Sequence, residues 1–100
     1  MSSESKQSQV DIKENFDFAV EQVYNSKPGS VGPTNEERLQ FYALYKQATV
    51  GKCNILKPWA FQVVQTEKWN AWNNLGNMSS ETAMLQYCDL YMKIYDKYTK

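Results

Sequence analysis

The chain of 100 residues contains no histidine and only two cysteines. The missing histidine removes the side chain most often used as a general base and as a metal ligand. It also excludes Ser/His and Cys/His pairs, so the sequence favours a binding protein over an enzyme. Cys53 and Cys88 are too few for a zinc site or a disulfide scaffold, and we expect both to be reduced thiols.

Excess charge and long apolar runs are missing as well. Eleven Lys and Arg residues balance eleven Asp and Glu residues, whereas domains that bind nucleic acid are usually strongly basic. No stretch approaches the roughly 20 apolar residues that a membrane span needs, and the start, MSSESKQSQV, lacks the apolar run of a secretory signal. We therefore expect a cytoplasmic protein with no nucleic-acid partner and at most transient membrane contact.

Aromatic residues make up 14% of the chain and hydrophobic residues 42%. That composition argues against disorder and fits one domain with a single small core. Residues 1–10 are almost entirely polar, so we predict a flexible tail at 1–10 and one domain at 11–100. Balanced charge and one small core make a monomer the default expectation.

Apolar positions recur at helical spacing in four segments and alternate nowhere, which predicts an all-α protein. Helix-start signals are Asp11 with Glu14, the capping box of Thr34 with Glu37, and Ser79 or Ser80. Gly51 and Gly76 are placed to end helices in the left-handed conformation. The predicted elements are a helix at about 12–25, a loop at 25–33, a helix from Thr34 to Gly51, a loop at 51–58, a helix at about 65–75 and a helix from 79 or 80 onward.

Three polar-tipped side chains, Tyr42, Tyr45 and Lys46, share one face of the second predicted helix. A cation beside two phenols forms a plausible phosphate cradle. The alternative is that both tyrosines pack in the core while Lys46 reaches solvent. In the third helix, Trp69 and Trp72 are expected to anchor the core, with Lys68 bordering them. The tyrosines of the fourth helix are expected to be mostly core, with one or two facing a ligand.

The run YALYKQATVG at 42–51 resembles the signature of the acyl-CoA-binding protein family. It is followed, in the order and spacing of that family, by further matching elements over roughly residues 12–98. These are Asn54, Lys57-Pro58, Lys68-Trp69, Ala71-Trp72, and Ala83-Met84 with Tyr87. The resemblance implies a four-helix bundle with up-down-down-up topology, consistent with loops long enough for consecutive helices to run parallel.

The resemblance also implies a function. Members of the family bind medium-chain and long-chain fatty acyl-CoA esters, protect and carry them in the cytosol, form a pool of them, and are neither enzymes nor cofactor-dependent. By position, Tyr42, Lys46 and Lys68 would hold the ribose 3′-phosphate and neighbouring groups of CoA. Tyr45 would lie against adenine, Tyr87 would reach the ligand from the fourth helix, and Leu39 would line the acyl groove.

The sequence departs from the family pattern between the second and third helices. Pro58-Trp59 stands in place of a Pro-Gly turn, and the stretch 62–66 lacks the usual basic and aromatic residues. One alternative is therefore a helical protein-interaction module with a degenerate ligand site, in which Trp59 and 62–66 form an exposed apolar patch. A second open question is whether the chain is one domain of a larger, ankyrin-bearing protein, since Cys53-Asn54 and Leu75-Gly76 resemble such members.

Overall fold

The computed structural model describes the backbone of residues 9–25 and 33–99 and the side chains of 11–25 and 33–95. Within these ranges the chain forms four helices and no strand, which confirms the all-α prediction. No helix in them is long and apolar enough to cross a membrane. The helices are α1 (Gln9–Tyr24), α2 (Asn35–Thr49), α3 (Val63–Asn73) and α4 (Ser80–Thr99).

The first helix starts earlier than the sequence signals predict. α1 begins at Gln9, so residues 9 and 10 belong to the helix and not to the predicted tail. Neither residue breaks a helix, and Asp11 lies inside the first turn, where the positive end of the helix dipole favours a carboxylate. Residues 1–8 and most of the predicted loop, 26–32, lie outside the described residues.

Both predicted boundaries of α2 are confirmed. The Thr34 hydroxyl accepts from the Glu37 backbone N–H at 3.1 Å, and the Glu37 carboxylate accepts from the Thr34 N–H at 2.9 Å. This reciprocal pair is the capping box. At the other end, Gly51 has φ +105°, a backbone conformation that residues with a side chain rarely adopt.

The third helix begins at Val63, two residues before the predicted start. Its N-cap residue, Gln62, makes no side-chain capping bond; its amide oxygen accepts from the Trp59 backbone N–H at 3.2 Å. Because the side chain that precedes α3 holds the loop and not the helix, the usual sequence signal for a helix start is missing here.

The fourth helix uses both of its candidate serines, for different purposes. The Ser79 hydroxyl accepts from the Thr82 backbone N–H at 3.1 Å and so caps α4. The Ser80 hydroxyl donates to the Ala48 carbonyl at 3.0 Å and ties the start of α4 to the end of α2.

Contacts between helices show the direction in which each one runs. Residue numbers of contacting pairs rise together when two helices are parallel and run oppositely when they are antiparallel. The pairs are Phe16–Tyr87 and Phe18–Tyr91 for α1 with α4, Phe41–Tyr87 and Ala48–Ser80 for α2 with α4, and Tyr42–Lys68 and Lys46–Trp72 for α2 with α3. α1 is therefore parallel to α4, and α2 is antiparallel to α4 and parallel to α3. This is the up-down-down-up order.

The core lies where α1, α2 and α4 meet. Its central aromatic contact is Tyr87, with ring centroids 5.1 Å from Phe16 and 4.8 Å from Phe41. The other buried members are Ala19, Leu44, Ala48, Ala83 and Ile94. α3 packs on the outer side of α2 and contributes one fully buried side chain, Trp72.

A buried amide fastens the connection between α3 and α4 to α2. Gln47 is fully buried, and its Nε2 donates to the carbonyls of Gly76 at 3.0 Å and Met78 at 2.8 Å. Its Oε1 has no hydrogen-bond partner among the described residues. The side-chain amide NH₂ group of Gln47 therefore satisfies two carbonyls of the α3–α4 connection.

We expect Gln47→Leu to lower the free energy of unfolding by about 2 kcal/mol, because both carbonyls lose their donor. Loss of the unpaired Oε1 offsets part of that cost. Urea unfolding monitored by circular dichroism measures the change. Gln40→Leu, at an exposed position of the same helix, is the matched control and should stay within about 0.5 kcal/mol of wild type. Equal stabilities for the two variants would contradict the assigned role.

Candidate functional site

Two lysine–aromatic pairs cross the seam between α2 and α3. Lys46 of α2 places its Nζ 5.1 Å from the centroid of the Trp72 ring, and Lys68 of α3 places its Nζ 5.3 Å from the centroid of the Tyr42 ring. Each helix supplies one lysine and one ring four residues apart. The parallel packing of the helices therefore brings both ammonium groups to one seam.

Trp72 sets the register of this seam. It is 1% exposed, and its Nε1 donates to the Gly51 carbonyl at 2.8 Å. That bond joins the last turn of α3 to Gly51, two residues beyond the end of α2. With Trp72 fixed, Lys46 lies over its ring, and Lys68, one turn earlier on α3, meets Tyr42.

The seam has the chemistry of an anion site. Lys46 and Lys68 are both only partly buried, and each ammonium keeps donors for a further partner while the aromatic ring faces part of its charge. Two cations and the Tyr42 phenol provide charge-assisted and neutral donors of the kind that phosphate oxygens accept.

A cleft of about 420 Å³ opens next to the seam, between α1, α2 and α4. Tyr42 belongs both to the seam and to the cleft wall, so the two form one continuous site. The wall is mainly aromatic and aliphatic. It consists of Val20, Val23, Tyr24, Arg38, Phe41, Tyr42, Tyr45 and Tyr87.

The two other predicted tyrosines differ in their surroundings. Tyr45 is 41% exposed and stacks on Phe16 with centroids 6.2 Å apart. Its ring therefore has both a packed and an accessible side. Tyr87 is 3% exposed, and burial, reinforced by Tyr95 and Tyr45, raises its pKa well above the usual value for tyrosine. The Tyr87 phenol therefore stays neutral and able to donate at every physiological pH.

The structure thus brings five of the six predicted residues to two adjoining surfaces. Tyr42, Lys46 and Lys68 meet at the seam, while Tyr42, Tyr45 and Tyr87 line the cleft. Leu39 is partly buried on α2 and is not among the residues that line the cleft. Its place in an acyl groove stays a prediction.

Arg38 is a cleft residue that the sequence reasoning missed. It is exposed, lines the cleft, and precedes Tyr42 by four residues and Tyr45 by seven. Those spacings place all three on one face of α2. Extending the Tyr42–Tyr45 face one turn toward the start of the helix would have found it.

Metal ligands and reactive thiols are the other groups that could give a site its chemistry. No group of three or more metal-ligating side chains occurs in the described part of the chain. Cys53 in the α2–α3 connection and Cys88 in α4 are partly buried free thiols. Burial raises the pKa of the Cys88 thiol, and the neighbouring Asp89 adds to the effect, which makes the reactive thiolate less available.

Comparison with known proteins assigns the family. The model of the family described as "Acyl CoA binding protein" matches residues 13–91, and the chain belongs to that family. Among curated relatives, acyl-CoA-binding domain-containing protein 5 of Xenopus laevis is 46% identical over 82 residues, covering 81% of this chain and 18% of that protein. Acyl-CoA-binding domain-containing protein 4 of Homo sapiens is 42% identical over 88 residues, covering 87% of this chain and 33% of that protein. The chain therefore spans a third or less of these relatives.

Solved structures of the same family share the fold. The crystal structure of ACBP from Moniliophthora perniciosa has a TM-score of 0.86 and 36% identity, over 88% of this chain and 84% of that chain. The solution structure of acyl CoA binding protein from Babesia bovis has a TM-score of 0.74 and 39% identity, over 87% and 97% of the two chains. Family and fold together support acyl-CoA binding in general as the property of this domain.

Burial of Tyr87 predicts a specific alkaline sensitivity. Its folded pKa is raised above the unfolded value, so the native state keeps a proton that the unfolded state loses. The contribution of Tyr87 to the free energy of unfolding is therefore fully present below about pH 10. Above that pH it falls by about 1.4 kcal/mol per pH unit.

Urea unfolding of wild type and Tyr87→Phe at several pH values above 10 measures this contribution. The variant should lose stability with pH less steeply than wild type, by that slope. Parallel losses in the two proteins would show that Tyr87 is not the group responsible.

Proposed function

We propose that this chain is an intracellular, cytoplasmic carrier of medium-chain and long-chain fatty acyl-CoA esters that also forms a pool of them, and that it acts as a monomer without catalysis. The observation that carries the proposal is the continuity of two surfaces through Tyr42. One surface is the cationic seam of Lys46 and Lys68, and the other is the apolar cleft between α1, α2 and α4.

The seam suits the phosphate-bearing end of the ligand. Lys46 and Lys68 come from different helices, so only the folded bundle brings them together. Charge-assisted hydrogen bonds to phosphate contribute about 1.5–3 kcal/mol each. Tyr42 adds a neutral donor, and the accessible side of Tyr45 offers a stacking surface for adenine. Arg38, at the cleft wall, adds a third cation within reach of an anionic ligand.

Apolar walls suit the rest of the ligand. Each methylene removed from water contributes roughly 0.8 kcal/mol, so a long acyl chain contributes more than any one phosphate contact before ordering costs are subtracted. Both ends are then needed for tight binding. A free fatty acid lacks the phosphates, and free CoA lacks the chain.

The lack of catalysis is supported by the composition of the site. Its polar groups are lysines, an arginine and tyrosines, and burial raises the pKa of Tyr87, which keeps that phenol neutral. The whole chain has no histidine. This set contains no pair of a nucleophile and a histidine or carboxylate base of the kind that nucleophilic catalysis uses.

A protein-interaction module with a degenerate ligand site is the second candidate. Trp59 and Phe61, both strongly exposed, favour it. Against it stands the intact seam, because a module without a ligand has no need for two lysines held over aromatic rings.

Ligand selectivity tests the proposal directly. In titration calorimetry, palmitoyl-CoA should bind far more tightly than CoA, and palmitate should bind poorly, since neither CoA nor palmitate reaches both surfaces. Comparable affinities for palmitate and palmitoyl-CoA would refute the role of the lysines. Failure of all three ligands to bind would leave the interaction module as the better account.

Lys46→Ala tests the seam itself. Loss of one charge-assisted contact should weaken palmitoyl-CoA binding by about tenfold or more, while circular dichroism shows an unchanged helical fold. Lys93→Ala removes an exposed lysine from α4, away from the seam and cleft, and is the matched control. Equal affinities of Lys46→Ala and Lys93→Ala for palmitoyl-CoA would contradict the assignment of the seam.

A further inference from the structure

The connection between α2 and α3, together with the first turn of α3, exposes an unusual amount of apolar surface. Twelve large hydrophobic side chains are exposed among the described residues, and six of them lie within ten positions, 55–64. We call these six side chains the loop patch: Ile55, Leu56, Trp59, Phe61, Val63 and Val64. Leu56 is 92% exposed, Phe61 79% and Trp59 73%. Concentrations of this kind mark a binding surface for a protein or a membrane.

The loop patch is held in place from its inner side. Trp69 donates from Nε1 to the Ile55 carbonyl at 2.9 Å, and Thr66 donates its hydroxyl to the Trp59 carbonyl at 3.3 Å. Both donors lie on α3 and are three residues apart, so both point from one face of that helix. The loop backbone is therefore fastened to α3 at two places, while the apolar side chains of the loop stay in solvent.

Charge along the chain is strongly segregated around this loop. From 38 to 66 the sequence contains four cations, Arg38, Lys46, Lys52 and Lys57, and no Asp or Glu. The net charge of zero thus hides a basic stretch that includes the loop patch. In the sequence, Lys57 follows Leu56 of the loop patch directly, and its Nζ lies 5.8 Å from the Trp69 ring centroid. Lys52 comes three residues before the first member of the loop patch.

We propose that the loop patch docks this domain on the surface of an anionic phospholipid bilayer. Exposed Trp, Phe and Leu side chains on a basic segment have the composition of a shallow interfacial anchor, in which apolar groups enter the headgroup boundary and lysines meet anionic lipid. The same lysines disfavour a protein partner, because the cores of protein interfaces are depleted in lysine. The proposal does not depend on acyl-CoA binding.

Docking in this way places the seam close to the bilayer. The Gly51 carbonyl, at the start of the loop, accepts from the Trp72 indole N–H, and the Lys46 ammonium lies over the Trp72 ring. If the proposed function holds as well, the ligand binds at a seam that adjoins the segment carrying the loop patch.

Vesicle binding without any acyl-CoA tests the proposal. The full chain is mixed with phosphatidylcholine vesicles that contain or lack phosphatidylserine, and bound protein is measured by sedimentation. We expect binding that depends on phosphatidylserine. Leu56→Ser/Trp59→Ser should weaken it by about tenfold or more, and Lys52→Gln or Lys57→Gln by about fivefold each. Met92→Ser and Lys93→Gln, at exposed positions on α4, are the matched controls and should bind as wild type does.

Tryptophan emission gives an independent signature. Trp59 is exposed, whereas Trp69 is partly buried and Trp72 fully buried. Anionic vesicles should therefore shift the emission to shorter wavelength in wild type but not in Trp59→Phe. Sedimentation of the loop-patch variants equal to wild type would overturn the proposal. Failure of wild type to bind the anionic vesicles would equally overturn it. In that case light scattering of wild type and Leu56→Ser would show whether the loop patch instead mediates self-association.

Discussion

The bond from the Trp72 indole to the Gly51 carbonyl is the constraint on which the seam and the loop both depend. Trp72 is almost wholly buried, so its indole N–H needs a partner, and the partner is the carbonyl of Gly51, just beyond the end of α2. The bond fixes how far α3 lies along α2. That register places Lys46 over Trp72 and Lys68 over Tyr42, and a shift of one residue in α3 would turn Lys68 away from the seam.

The same register pairs each seam lysine with an aromatic ring of the other helix. Among the described residues, neither Lys46 nor Lys68 forms a salt bridge, and an aromatic ring faces each ammonium group. A contact with an aromatic ring leaves the charge of an ammonium group in place, whereas a salt bridge neutralises it. The two ammonium groups therefore still attract an incoming anion. An ion pair at the same place would have to break before a phosphate could bind.

Much of the fold could be predicted from residues whose role is local. Thr34 with Glu37, Gly51 and Ser79 mark helix ends through backbone hydrogen bonds or a positive φ, and each is found where the sequence places it. Predictions were wrong where the local signal is absent. α1 extends past Asp11 because nothing stops it, and α3 starts at Val63 although Gln62 provides no cap.

The candidate site also has features that follow from local spacing and features that depend on tertiary packing. Tyr42, Tyr45 and Lys46 share a face of one helix, so spacing alone predicts that they lie together. Which lysine meets which ring depends on the register between α2 and α3, a tertiary property that no spacing contains. The exposure of Leu56 and Phe61 depends equally on how α3 holds the loop, through Trp69 and Thr66. Burial of Tyr87 between Phe16 and Phe41 likewise requires three helices.

We propose that the seam of Lys46 and Lys68 receives the ribose 3′-phosphate of CoA. The most direct measurement compares palmitoyl-CoA with palmitoyl-3′-dephospho-CoA on wild type and on Lys46→Ala by titration calorimetry. We expect wild type to lose about tenfold or more in affinity when the ligand lacks that phosphate, whereas Lys46→Ala should barely distinguish the two ligands. Equal affinity of wild type for both ligands, or the same loss in both proteins, would contradict it.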